Sequence, residues 1–264
     1  MAGERPDWAW FARSSEQVAG GQFDAAEVTI AAALQAGHLW RVSLLLTPGL
    51  APLLGRERFE SLASEARRRV EARNLRPIVL TALPPNAGSI APLLLILHGA
   101  TGNAMDELER WRPATELGWI VAAAQSSQPA TEHGFCWDPP RERVWRDLRE
   151  IATALPPHGR VVLAGFSQGA WVAINAALRA DIIVAGTAVM VAPFAGPDVG
   201  LAGGWRRLRI SILIGESDAY RGPVEALAKQ LMEREHHVSL EVVSNLGHAY
   251  PPDFAERLPG LIRP

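Results

Sequence analysis

Cysteine is almost missing from this 264-residue chain. Cys136 stands alone, so no intrachain disulfide can form and no cysteine-based metal cluster can be built. Lysine is equally scarce: of 26 basic residues only Lys229 is not an arginine. Together with abundant alanine and proline, that is the composition of a GC-rich bacterial genome. An excess of either charge is also lacking. The formal net charge is -2, which leaves no electrostatic footprint for a nucleic acid partner. Long apolar runs are absent too, since "PLLLIL" and "IIVAGTAVMVAPFA" are too short to span a bilayer. The opening "MAGERPDWAW" carries acidic residues and no apolar h-region, which argues against a secretory signal. The expectation is a cytoplasmic protein without a membrane span, built as one large domain or as one domain with a small companion.

What is present falls into two patterns. Residues 1–74 show helical periodicity in "WAWFARSSEQVA", "FDAAEVTIAAALQAG" and "FESLASEARRRVEARN", with breaks at Gly20-Gly21, Gly37 and Pro48-Gly49. Asp24 is placed to cap the helix that follows it. Residues 75–264 alternate strand and helix. "PIVLTAL", "PLLLILHG", "WIVAAAQ", "RVVLAGFS", "AGTAVMVAP", "RISILIGE" and "VSLEVVS" are short, rich in Val, Ile and Leu, and apolar on both faces, as in a buried parallel sheet. "AMDELERWRPATEL", "VWRDLREIATAL", "QGAWVAINAALRA" and "VEALAKQLMERE" are the helices between them. The fold class is therefore α/β, a mostly parallel sheet flanked by helices, preceded by a small all-α domain. The linker is expected near Arg73 to Pro77.

The candidate chemistry begins at "GFSQG", residues 165–169, where a strand turns into a helix. A serine in such a turn is strained, and side chains two residues away on either side would crowd it. Glycine removes that clash and lets Ser167 project its hydroxyl at the C-terminal edge of the sheet. The hydroxyl needs a base that is itself oriented by an acid. Asp181 ends the following helix, and Asp198 lies in a Pro/Gly-rich loop. Asp218 follows "RISILIGES" at the C-terminal end of a core strand, the same edge as the serine, with Glu216 as the fallback acid. His236 and His237 lie at the wrong end of the next strand, whereas His248, in "SNLGHAYP", follows it at the correct edge. An oxyanion would take one donor from the Gln168 amide and a second from Ala100, after His98-Gly99. His98, before a glycine, is read as a brace for that loop. Phe135, Trp137, Phe194 and Tyr250 are candidates to line an acyl or aryl pocket. Trp171 is expected to pack under the sheet, and Cys136 to be inert.

"LHGATGN", "GFSQG", "LIGESDAY" and "NLGHAYP", in that order, resemble the α/β-hydrolase family. Within it, residues 76–264 are similar to the phospholipase/carboxylesterase, acyl-protein-thioesterase-like branch. The resemblance implies a serine-dependent ester or thioester hydrolase needing no metal and no organic cofactor. Ser167 would be the nucleophile, His248 the general base and acid, and Asp218 its orienter. "ATGN" and "DAYRGP" depart from that branch's usual glycine-aspartate and valine-proline segments. The N-terminal segment "GGQFDAAEVTIAAALQAG" resembles tetratricopeptide-type helix hairpins, which implies packing on the second half, a homodimer or a protein partner. Two other functions stand beside the esterase reading. One is a peptidase or amidase on the same fold, and the other is a binding protein that no longer turns over.

Overall fold

The computed structural model describes residues 6–85, 90–138, 141–194 and 207–262. Asp198 lies outside the described residues. The chain divides into two compact units. The first runs to Leu75 and also takes in Pro129–Gly134; the second holds Arg76–Gln128 and Phe135–Pro264. The strip 129–134 reads from the sequence as part of the second half, yet it groups with the first. Within that unit, the Arg41 amide donates to the Ala130 carbonyl at 2.8 Å.

The first unit is helical, with α1 (Pro6–Ala19), α2 (Phe23–Gln35), a short α3 (Val42–Leu45) and α4 (Glu57–Glu71). Its core is apolar and includes Val18, Ile30, Leu34, Trp40, Leu45, Leu53 and Phe59. Asp24 does not cap α2. The helix starts one residue before it, at Phe23, and the N-cap position is Gln22, which makes no side-chain cap. Asp24 lies in the first turn, where an acid suits the helix dipole, and pairs with Arg56. Arg56 also reaches the buried Glu27, Nε to Oε1 2.7 Å.

Among the described residues of the second unit, seven strands form one sheet: β1 (Ile78–Ala82), β2 (Leu93–Leu97), β3 (Ile120–Gln125), β4 (Val161–Phe166), β5 (Ala185–Val191), β6 (Arg209–Gly215) and β7 (His237–Val243). Their order is β1-β3-β2-β4-β5-β6-β7, with β1 antiparallel to β3 and every other pairing parallel. The period of two sends alternate side chains to opposite faces. Leu93, Leu95 and Leu97 join one apolar layer with α6 (Arg141–Ala154), α7 (Gln168–Arg179) and α8 (Arg221–Glu233). Leu94 and Ile96 join the other with α5 (Ala104–Trp111) and α9 (Phe254–Leu261). The five central strands are apolar on both faces as the sequence predicts. β1 and β7 are not: at the sheet's edges, their residues are exposed or half-buried and none is fully buried. Helix α9 is short and carries Pro259, so its periodicity is weak and no helix is expected there from sequence. Among the described residues no helix is long and apolar enough to cross a membrane.

The chain runs outward from β2 to β3, then returns to place β4 on the other side of β2. The C-terminal ends of β2 and β4 therefore flank the point where strand order reverses. That is where open α/β sheets leave a crevice.

Candidate active site

Ser167 occupies the single residue between β4 and α7, with φ +50° and ψ −116°. A side chain at positive φ is strained, and the surroundings have to hold it there. The two flanking glycines make this possible, though the crowding involves backbone more than the serine. A Cβ on Gly165 would stand 2.4 Å from the Gly169 carbonyl carbon. A Cβ on Gly169 would stand 2.1 Å from the Leu97 carbonyl oxygen and 2.4 Å from that of His98. The glycines thus let α7 start directly against the ends of β4 and β2.

Three side chains from separate loops meet at this turn. His248 Nε2 lies 2.8 Å from Ser167 Oγ. His248 Nδ1 lies 2.8 Å from Asp218 Oδ2. The Asp218 carboxyl group is buried, and its other oxygen accepts the Tyr220 amide at 2.9 Å. An acceptor on one side of the imidazole fixes the proton on Nδ1 and leaves Nε2 facing the hydroxyl as an acceptor. Ser167 and Asp218 are buried, while the His248 side chain is 35% exposed. Its ring is therefore reachable from solvent.

The other acids and histidines lie elsewhere. Asp181 is exposed and pairs with Arg179. Glu216 is exposed and accepts the Asn245 amide. His236 accepts the Leu208 amide through Nδ1, and His237 opens β7.

Residue Gln168 heads α7, so its amide has no intrahelical acceptor. Its side chain clamps the neighbouring loop. Oε1 accepts the Trp137 amide at 2.7 Å, and Nε2 donates to Asp138 Oδ1 at 2.8 Å. Ala100 is exposed in the loop between β2 and α5. That loop is held by the Phe135–Gly102 bridge, with the Phe135 amide donating to the Gly102 carbonyl at 2.8 Å. His98 is fully buried beneath it. Its Nε2 accepts the Ser126 amide at 3.3 Å and its Nδ1 donates to the Gly99 carbonyl at 2.7 Å. Burial lowers its pKa to about 4, keeping the ring neutral.

The aromatic residues expected around a pocket divide. Trp137 is only 2% exposed; it stacks on the His98 ring at 5.0 Å and donates Nε1–H to the His98 carbonyl at 2.9 Å. It belongs to the core under the loop, because a buried indole satisfies its N–H there. Tyr250 is also held inward by hydrogen bonds to Glu107 and Trp111. Phe135 is half-buried beside His98. Phe194 is 37% exposed, and its amide donates to the Ser167 carbonyl at 3.2 Å. Its ring meets Tyr220 edge-on at 5.1 Å, and Tyr220 in turn meets His248 at 5.4 Å. Tyr220 went unnoticed in the sequence. Its position two residues after the candidate acid was the available signal.

No family model and no curated protein matches the chain. Solved structures do. A Bacillus cereus ATCC 10987 protein, described as uncharacterized, is 22% identical with a TM-score of 0.56, over 98% of this chain and 87% of its own. Esterase PE8 is 18% identical with a TM-score of 0.58, over 72% of this chain and 100% of its own. Est1E from Butyrivibrio proteoclasticus, solved with ferulic acid, is 17% identical with a TM-score of 0.53, over 73% of this chain and 95% of its own. At such identities the likeness is one of fold.

Proposed function

We propose that this chain, which has the α/β-hydrolase fold, is a serine hydrolase that cleaves small carboxylic esters or thioesters through an acyl-enzyme. The observation that carries the reading is the continuous chain of contacts Asp218–His248–Ser167, each 2.8 Å, ending on a serine held at positive φ.

The chemistry follows from that arrangement. Ser167 Oγ attacks the acyl carbon while its proton passes to His248 Nε2. Asp218 holds Nδ1–H and balances the imidazolium that forms. The tetrahedral oxyanion takes hydrogen bonds from the Gln168 and Ala100 amides, each worth on the order of 10²–10³ in turnover. His248 then gives its proton to the departing alkoxide or thiolate, leaving an ester on Ser167. Water attacks that ester by the same sequence, releasing the acid and restoring the hydroxyl. The exposed ring of Phe194, with Tyr220 behind it, offers the acyl group an apolar wall next to the reacting atoms. Est1E binds a hydroxycinnamic acid on this fold, so aryl acyl groups belong in any substrate panel.

The test uses p-nitrophenyl esters and a fluorophosphonate probe. The wild-type protein is expected to turn over the former and to be labelled by the latter, and Ser167→Ala to lose both. Undiminished turnover in that variant would rule the reading out. Labelling without turnover of any ester, alongside cleavage of aminoacyl amides, would point to a peptidase.

A further inference from the structure

Outside the triad, the second unit holds another buried polar cluster whose members come from two segments of the site. Glu107 lies on α5, the helix entered directly from the loop that carries Ala100. Tyr250 lies two residues beyond His248. The Tyr250 hydroxyl donates to Glu107 Oε2 at 2.7 Å and accepts from Trp111 Nε1 at 3.1 Å. Glu107 is 6% exposed. A phenol has one proton to give and here gives it to the carboxyl group, while the indole fills its acceptor side. The group is thus satisfied internally, and its geometry is fixed.

The Tyr250 ring then stacks on Phe166 at 4.7 Å with 19° between planes. Phe166 directly precedes the serine. Its ring lies 5.3 Å from that of His248, and its Cδ1 would be 2.7 Å from a Cβ on Gly99. Phe166 therefore touches the base and the oxyanion loop, and it is one peptide bond from the nucleophile. From the histidine loop, the stacked Tyr250 ring backs it beside the His248 ring. The Arg110 guanidinium covers the Tyr250 ring at 4.2 Å, and Phe254 meets it at 4.7 Å.

We propose that Tyr250 and Glu107 are positioning residues for hydrolysis. Their hydrogen bond ties the histidine loop to the helix behind the oxyanion loop and, through Phe166, holds base, nucleophile and donor in register. This rests on the serine hydrolase reading above. Neither side chain reaches the reacting atoms; both act through Phe166 and the loop. Misplacement of such groups by a fraction of an ångström is enough to slow turnover without changing substrate binding. The groups that face Glu107 are Tyr250 from the histidine loop and Arg110, Asp106 and Trp111 from its own helix. Burial, the largest influence, raises Glu107 to about 7, so the acceptor becomes a full carboxylate, and a stronger one, across the neutral range.

The experiment uses the full chain and p-nitrophenyl acetate. Tyr250→Phe and Glu107→Ala remove the same bond from opposite ends. Each is expected to lower kcat by about tenfold and to leave KM within about twofold, and the double variant to lose no more than either alone. Glu107→Gln keeps an acceptor and is expected to recover most of the loss seen in Glu107→Ala. Folded Tyr250→Phe with wild-type kcat, or losses that multiply in the double variant, would overturn the proposal. Should Tyr250→Phe not fold, Glu107→Gln against Glu107→Ala decides, and equal losses of kcat in the two count against it. Fluorophosphonate labelling of the wild type separates the two ideas. An unlabelled wild type refutes the hydrolase reading itself, whereas a labelled one with insensitive variants refutes only the positioning roles.

Discussion

The two units use polar residues in different ways. In the helical unit, the core is carried by aliphatic and aromatic side chains, and charges are matched in pairs such as Glu65–Arg69 on α4 and Glu27–Arg56 between helices. In the sheet unit, four buried polar groups gather at one edge: Ser167, Asp218, His98 and Glu107 lie near the ends of β2, β4 and β6 or on the helix that follows. A positive-φ serine and two titratable groups moved far from their ordinary values share that edge. Strain and desolvation of this kind cost stability, and a chain that concentrates them in one place has a use for that place.

The hardest blow to this contrast would be activity that survives loss of the serine. Ser167→Ala should lower turnover of p-nitrophenyl esters by at least about 10³-fold, with thermal melting little changed, because alanine keeps the Cβ that strains this turn. Next in size is a matched pair of glycine substitutions. Gly169→Ala drives a methyl group into the Leu97 and His98 carbonyls and should destabilise the sheet unit by several kcal/mol. Gly20→Ala, in the helical unit, meets nothing closer than 3.5 Å and should change stability by less than about 1 kcal/mol. Urea denaturation of both would measure the ratio, and equal effects would erase the contrast.

Proton linkage gives a finer test. Glu107 is raised from 4.5 to about 7, so its protonated form favours the fold. That contribution is complete below pH 4.5 and is lost as pH rises through about 7. Glu107→Gln should therefore gain stability relative to wild type between pH 5 and pH 8, by at most roughly 3 kcal/mol. His98 has the opposite sign. It is lowered from 6.5 to about 4, so its contribution is complete above pH 6.5 and is lost as pH falls through about 4. His98→Asn should flatten the acid limb of the stability curve. Smallest of all is Arg68→Ala on α4, an exposed partner of Glu65. It should cost less than about 1 kcal/mol and leave ester turnover unchanged.

The sheet unit was largely legible in its sequence. Buried parallel strands have to be continuous apolar runs, and the elbow glycines have to be glycines, so β2 to β6 and the turn at Ser167 announce themselves. Asp218 and His248 were found because each ends a strand at the serine's edge. What stayed hidden depends on pairings across long separations. Glu107 and Tyr250 are 143 residues apart, and a lone acid on an amphipathic helix looks like a solvated one until the fold buries it. Trp137 looked like a pocket wall because a loop aromatic carries no periodicity to say which way it faces. Edge exposure of β7 could not be seen before the strand order was known.

The strip Pro129–Gly134 sets an order of events at the ribosome. The helical unit's own residues end at Leu75, but its last backbone partner is not translated until the chain has passed through β1, β2 and β3. More than fifty residues separate Leu75 from that strip, and the ribosome makes them first. A gene cut after Leu75 would leave the first unit without the Ala130 carbonyl that takes the Arg41 amide.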